Sequence, residues 1–446
     1  MTALGIIGVI LGVGLIIFFA AKNISLLITA PLCAVIIALF NRMNPYETIM
    51  GPYMDGVGLI IRGMFYVMTL GLLFANIYSA SGAGKTIANT LYRVCTKKAR
   101  AAAGPGEQIR LNPAVGIGVL YLICIIMGYG GIGAVVISVT IIPIAFDIFR
   151  ACDLPNEMIP GCIMGATAAG VPSMPGTTSD QNIMAINLLG TGSLEKPLVG
   201  FLVGILILVA NYLLFCKLGK KNIASGNRFS LPDDLVGKVD MEAEGPHIIL
   251  TFLPMILIFV LFNVVKVPVV VAILCGDILA ILLFKKHLGS WKDILKLATE
   301  AFVRGGSMCL IGANLSGVGK VVAASPSFDV ITHAIVTVSF PVMFKACIAV
   351  MICTMIAGGG PTGLSIALPN LSGTFASLGV PMGTLHRISV FACQTLDTLP
   401  TNVGLILNCT LAHTTMDRAY KYIFYSTVLM TTAGALLASL LFTLGL

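Results

Sequence analysis

The sequence predicts an all-α polytopic membrane protein with about ten transmembrane helices and two re-entrant hairpins, arranged as two inverted-topology repeats. Three observations carry this. Of 446 residues, 57% are hydrophobic and only 10% are charged, against about 25% charged in ordinary soluble domains. Mean hydropathy is +0.99, so lipid must be the solvent for most of the chain. Finally, long apolar runs come in one order in the first half, and that order recurs in the second.

The runs lie at 2–20, 25–41, 57–80, 113–150, 157–190, 197–216, 247–265, 268–284, 304–323, 341–378, 382–413 and 423–445. The first, MTALGIIGVILGVGLIIFFAAK, lacks a basic n-region and a small-residue cleavage site, and is expected to be a retained span. Most runs suit a single crossing of about 20 residues. The exceptions, 113–150 and 341–378, are each broken near the middle by glycines, MGYGGIGAVV and AGGGPTGLSI. Each arm is then about 15 residues, or about 22 Å, short of a hydrocarbon core of about 30 Å. The expectation is a hairpin that dips in and returns.

Charge sets the topology. The net charge of +8 resides in clusters between apolar runs: Lys85–Arg110, Lys217–Lys238, Lys285–Arg304, and Arg418 with Lys421. Such clusters mark cytoplasmic loops and give no reason to expect nucleic acid. With both hairpins returning to their own side, both termini are expected outside. The polar stretch 217–246 becomes a cytoplasmic linker between a first repeat, 1–216, and a second, 247–446.

The halves superpose in order. Phe18, Lys22 and Phe40 meet Phe262, Lys266 and Phe284. Arg62 meets Arg304, and Gly128, Gly130 and Gly133 meet Gly358, Gly360 and Gly363. Pro155 and Pro175 meet Pro381 and Pro400. Each unit holds an odd number of crossings, so the second copy must be inverted. Inverted repeats with discontinuous helices place a binding site near the bilayer midplane.

The chemistry is expected where a polar break interrupts the span after each hairpin. The first break, GVPSMPGTTSDQN at 170–182, combines Pro172, Pro175 and Gly176 with Ser173, Thr177, Thr178, Ser179, Asp180 and Asn182. The second, QTLDTLPTN at 394–402, holds Asp397, Thr398, Pro400, Thr401 and Asn402. Prolines remove amide donors, and unwound backbone at membrane depth persists only where it lines a cavity or is buried in protein. Hydroxyl, carboxylate and amide oxygens there suit a cation such as Na⁺, so Thr177, Thr178, Ser179, Asp180, Asn182, Ser365, Asp397, Thr401 and Asn402 are the expected cation-coupling set. The glycine tips, Gly128, Tyr129, Gly130 and Gly131 with Gly358, Gly359 and Gly360, allow close approach. They also expose half-helix N-termini to an anion. With Ser173, Gly176, Thr362 and Thr398 they form the expected substrate set. The competing reading of Ser179 and Asp180, and of Thr401 and Asn402, is simple helix capping.

Other features are weaker. His386 and Arg387 are expected as a solvated entry or interfacial anchors, and Lys320 as a snorkelling lysine. SGAGKT at 81–86 lacks the first glycine of a phosphate loop and any preceding strand. The twelve cysteines lie singly and behave as small hydrophobes. No catalytic triad, metal-binding helix or dinucleotide fingerprint is present, so an enzyme is not expected and no cofactor is implied.

Hairpin, broken helix and duplication in this order resemble the ion-transporter superfamily, and in particular the gluconate permease (GntP) family. The resemblance runs through GLLFANIYSASGAGKTIANTL, PAVGIGVLYLICIIMGYGGIGAVVISVTIIPIAFDIFRACDLP and GGGPTGLSIALPNL. It implies a secondary active transporter of the bacterial inner membrane. Such a protein takes up gluconate or another hydroxy or carboxylic acid with a coupling cation, by an elevator motion within a homodimer. The breaks, VPSMPGTTSD and TLDTLPTN, differ from those of gluconate permeases, which leaves H⁺ and Na⁺ both open. A sodium-coupled di- or tricarboxylate carrier and a cation/proton antiporter are the alternatives on the same architecture.

Overall fold

The computed structural model describes residues 2–22, 24–97, 101, 110–230, 245–328, 330, 337, 339–357, 359–398 and 403–446. Among these the chain is helical, with no strand. Outward-turned side chains such as Ile28, Leu198, Leu282 and Val303 are apolar and more than half exposed, which only a lipid surround makes tolerable.

Two short helices, α1 (Thr2–Ala21) and α2 (Leu26–Phe40), pack as a pair. They are followed by α3 (Pro45–Ala80), a long helix started by Asn44, whose side chain accepts from the amides of Tyr46 and Glu47. The second half repeats this order. The pair α10 (Ile248–Val265) and α11 (Val269–Phe284) precedes α12 (Trp291–Ala323), which a reciprocal Ser290–Asp293 capping box starts. The packing is reciprocal as well: α2 lies on α12, α11 lies on α3, and α3 and α12 cross. The crossing is close because glycines face backbone. A Cβ on Gly56 would stand 2.6 Å from the Ser316 carbonyl oxygen, and one on Gly305 would stand 2.9 Å from Thr69 Cα.

The long helices overrun the apolar runs that announce them. The runs at 57–80 and 304–323 become helices starting at Pro45 and Trp291, because the helix continues into the more polar residues before each run. The expected basic loop at 85–110 begins as a helix, α4 (Ala83–Cys95). The span expected to end at 216 runs on as α9 (Pro197–Ala224), so the first residues of the expected linker are helical.

Both hairpins form. Helix α5 (Pro113–Tyr129) is capped by Asn112. It turns back through Gly130 and Gly131, the latter at φ +92°, into α6 (Ala134–Cys152). The second hairpin is α13 (Val342–Ala357) and α14 (Gly360–Ser377). The arms have 17 and 19 residues, then 16 and 18, somewhat longer than expected.

Both following spans are interrupted. The first is α7 (Ile159–Met164), widened through a π turn (Gly165–Gly170) and tightened at Val171–Ser173, then a non-helical segment, then α8 (Asp180–Leu189). The second is α15 (Met382–Ala392), then turns, then α16 (Val403–Leu411). The chain closes with α17 (Met416–Thr443), packed on α9. Among the described residues, five helices are long and apolar enough to cross a membrane by themselves: Pro45–Ala80, α9, α10, α12 and α17.

Candidate binding site between the broken helices

The first break is held open by its own side chains. Val171–Ser173 ends the helix, and Met174 is extended at ψ 144°. Gly176 takes φ +81°, a left-handed conformation that costs glycine nothing. The Ser179 hydroxyl donates to the Pro172 carbonyl at 2.7 Å, and that of Thr177 to the Met174 carbonyl at 3.1 Å. Asn182 donates from its side chain to the Thr177 carbonyl at 2.8 Å. Ser179 also caps α8 by accepting from the Asn182 amide at 3.4 Å, so the capping reading is right for Ser179. Ser173 donates to the Gly170 carbonyl at 2.9 Å. These hydroxyls satisfy carbonyls that a broken helix leaves without partners.

The first hairpin tip meets this break. Tyr129 donates to the Pro175 carbonyl at 2.7 Å, and a Cβ on Gly131 would lie 3.1 Å from Thr178 Oγ1. One side of the tip is already filled, however. A Cβ on Gly130 would overlap Met255 Cε of α10, so the absent side chain there makes room for a packed helix. Gly128 has ordinary contact with Val171. The break is further tied to α10 by Asn263, which donates to the Gly176 carbonyl at 2.9 Å and accepts from Ser193 at 2.9 Å.

At the second tip a carboxylate of the chain itself takes the helix N-terminus. Asp397 Oδ1 accepts from the Gly360 amide at 3.0 Å, where positive partial charge gathers at the start of α14. The sequence expectation of an open N-terminus for substrate at this tip is corrected accordingly. A Cβ on Gly360 would lie 3.5 Å from Asp397 Oδ2, 3.2 Å from the Cys393 carbonyl oxygen and 3.4 Å from Gln181 Cγ, so the second tip, the second break and the start of α8 converge. Asp180, the first residue of α8, directly precedes Gln181 at this convergence. Thr362 folds back onto the Gly359 carbonyl at 2.8 Å.

Two expected ligands point elsewhere. Ser365 donates to Ser316 of α12 at 2.8 Å, and the Thr398 hydroxyl is bonded to that of Thr427 in α17. The first joins two helices and the second joins the turn of the second break to α17. Gly358, Pro400, Thr401 and Asn402 lie outside the described residues.

His386 and Arg387 overturn the interfacial expectation, for both are 0% exposed. His386 bonds Asn182 Oδ1 through Nε2 at 2.9 Å and Thr191 Oγ1 through Nδ1 at 2.6 Å. Arg387 donates to the Ser173 carbonyl at 2.7 Å and twice to the Glu195 carbonyl, at 3.2 and 3.0 Å. Among the described residues it has no ion pair within 4 Å. The second broken helix thus grips the first at Ser173 and Asn182. The available signal was a charged pair inside an apolar run, where ionisable residues are functional by default. Nothing in the sequence pointed to Gln181, Thr191, Glu195 or Asn263.

Beside this network opens a cleft of about 850 Å³. It is lined by α3 (Leu59 to Val67), α8, the 191–195 loop and the α10–α11 junction, and it presents Arg62 and Lys266. Thr191 and Glu195, which hold His386 and Arg387, are in its wall. Glu195 turns one carboxylate oxygen to the Gly192 amide at 3.0 Å.

No protein-family model matches the chain. It is 22% identical over 471 aligned positions to an uncharacterized transporter of Bacillus subtilis, YxjC, with 95% of this chain and 96% of that protein aligned. Its fold is similar to the crystal structure of the YdaH transporter of Alcanivorax borkumensis, at a TM-score of 0.58 and 14% identity over 90% of this chain and 88% of that one. The apolar surface, the long membrane-length helices and these two likenesses agree on a multi-pass membrane protein with the fold of a transporter.

Proposed function

We propose that the protein is a secondary active transporter that couples a cation to uptake of a small organic anion, such as gluconate or another hydroxy or carboxylic acid. The observation that carries this reading is the cleft. It offers Arg62 and Lys266 to an anion, and its wall connects through Thr191 and Glu195 to the wholly buried His386 and Arg387. Its volume is in the range of small-molecule sites, about 300–1,000 Å³. Asp180 and Asp397 stand at the same junction of helix starts, and a proton or Na⁺ taken up there would offset two neighbouring negative charges. The recurring element order supports two inverted repeats that move as an elevator, with gluconate permeases as the expected relatives, a homodimer as the assembly and the bacterial inner membrane as the location. A di- or tricarboxylate is the second reading, favoured by two cations on one cleft.

The test is counterflow in proteoliposomes with radiolabelled gluconate, lactate, citrate and succinate, each under a Na⁺ gradient, a proton gradient or neither. Exchange of at least one anion is expected, with accumulation only under one of the gradients. Accumulation of none of them, alongside cation exchange without an anion, would turn the reading to an antiporter.

A further inference from the structure

Asp277 stands in the middle of α11, eight residues from its first residue and seven from its last. The helix otherwise reads VVVAILCG before it and ILAILLF after it. Asp277 is 1% exposed, and among the described residues neither carboxylate oxygen has a hydrogen-bond partner. An ionised carboxylate cannot remain so: without water, a donor or a counter-charge, burial costs far more than folding supplies.

The surroundings decide what compensates it. Val270, Asp277 and Phe284 recur at seven-residue spacing, which puts them on one face of α11. Helix α3 covers that face at both ends. Val67 and Val270 share the cleft wall, and Tyr78 meets Phe284 edge-on with ring centroids 5.4 Å apart. Between Val67 and Tyr78, the buried residues of α3 include Leu70, Leu73, Phe74 and Ile77. The polar side chains of that stretch are engaged elsewhere, Thr69 with the Phe65 carbonyl and Asn76 with the Leu297 carbonyl. From α10, Ile258 closes on Gly276, the residue before Asp277.

Few titratable groups share these elements. Tyr78 gives its hydroxyl to the Thr251 carbonyl at 2.5 Å, Tyr66 is turned outward, and Cys275 is on α11 itself. Helix α10 has none between Ile248 and Val265. Of the charged groups, Glu47, Asp55 and Arg62 precede Val67 on α3, Lys266 precedes α11, and Lys285, Lys286 and His287 follow it, so none falls between Val67 and Tyr78 or, Asp277 apart, between Val270 and Phe284. A hard metal cation needs a shell of about six oxygens, and this seam offers one carboxylate among aliphatic and aromatic groups. A proton needs only the carboxylate.

We propose that Asp277 is a proton-binding site, set in the α3–α11 seam apart from both broken helices and loaded from the cleft. The cleft floor at Val270 is two helical turns away, about 10 Å. The neutral acid is at home in an apolar seam. The carboxylate is not, so proton loss draws water down from the cleft and parts α3 from α11. Helix α3 also lines the cleft and packs on α8, which carries the change to the site.

The assignment does not depend on what the cleft transports, and its test uses no substrate. The full-length protein in liposomes is compared by infrared difference spectroscopy between mildly acid and mildly alkaline pH, as wild type, Asp277→Asn and Asp277→Glu. A protonated-carboxyl band lost on alkalinisation is expected in the wild type, absent from Asp277→Asn and moved in Asp277→Glu. Should Asp277→Asn not fold, the moved band of Asp277→Glu carries the result. An acid band unchanged in either variant overturns the proposal. So does a wild-type band abolished by Na⁺ at constant pH, which would make this a sodium site. Failure to find a transported anion leaves the spectra as they are, and unchanged spectra leave the transport reading as it is.

Discussion

Asp397 and Asp180 stand at two helix starts, yet only one of them serves as a cap in the structure. The Asp397 carboxylate accepts the Gly360 amide across 37 residues of sequence, whereas α8 is capped by Ser179 and not by Asp180. Asparagine caps a helix about as well as aspartate. If capping were their whole role, Asp397→Asn and Asp180→Asn would each cost less than about 1 kcal/mol and leave uptake within about twofold. As coupling groups they fare differently. Concentrative uptake by the double Asp→Asn variant is expected to fall more than about tenfold, equivalent to roughly 1.4 kcal/mol, while its melting temperature stays near wild type. Initial rates in proteoliposomes, with melting measured in parallel, check this; near-normal accumulation by the double variant would leave Asp397 as a cap alone and remove Asp180 from the coupling site. The polar residues of the breaks were legible because hydroxyls and carboxylates at membrane depth are conspicuous. Their division into two jobs was not: Thr177, Ser179 and Asn182 hold backbone carbonyls of the break, and that depends on where the carbonyls point.

At the level of elements, the α3–α12 crossing organises the bundle, and its closeness rests on missing side chains. Two glycines of α3, two residues apart, separate the effect of the crossing from that of helix propensity. Gly56 has no room for a Cβ, because Ser316 oxygen and Gly317 Cα are within 2.8 Å of it, while nothing lies within 4 Å of one on Gly58. Gly58→Ala is expected to hold or raise the melting temperature, since alanine is favoured over glycine in a helix by up to about 1 kcal/mol. Gly56→Ala forces α3 and α12 apart and is expected to cost about 1–3 kcal/mol, read as lower melting and broader size-exclusion elution. Equal behaviour of the two variants would mean that the crossing does not need this contact. The hairpins and broken helices were readable in the sequence from apolar runs longer than one crossing, and from prolines and glycines that cannot sit in an uninterrupted helix. The partners were not readable. Met255 against Gly130 and Thr427 against Thr398 join residues more than twenty positions apart, and apolar composition leaves such pairings open.

For the whole molecule the open question is which way each half faces. From the basic clusters, the ends of α4 and α9 are expected in the cytoplasm and the loop after α8 outside. Single cysteines at exposed positions in a cysteine-free background test this in intact cells. Lys97→Cys and Ser230→Cys are expected to react with a membrane-impermeant maleimide only after the cells are opened, and Gly192→Cys without opening. Labelling of Gly192→Cys solely from the inside would overturn the inverted arrangement and place the cleft at the cytoplasmic face. Composition and pattern by themselves determined that the chain lives in lipid, how many apolar elements it has, that two of them fold back and two are broken, and which loops carry the positive charge. These are local properties, fixed by transfer free energy and by which residues a helix tolerates. The tertiary structure alone decided that His386 and Arg387 are sealed inside the protein and clasp the first break, that Asp397 occupies a helix start the sequence left open, and that Asp277 has no hydrogen-bond partner among the described residues. The reason is physical: a polar group in a membrane is defined by what satisfies it, and its partner usually belongs to a helix far away in the chain.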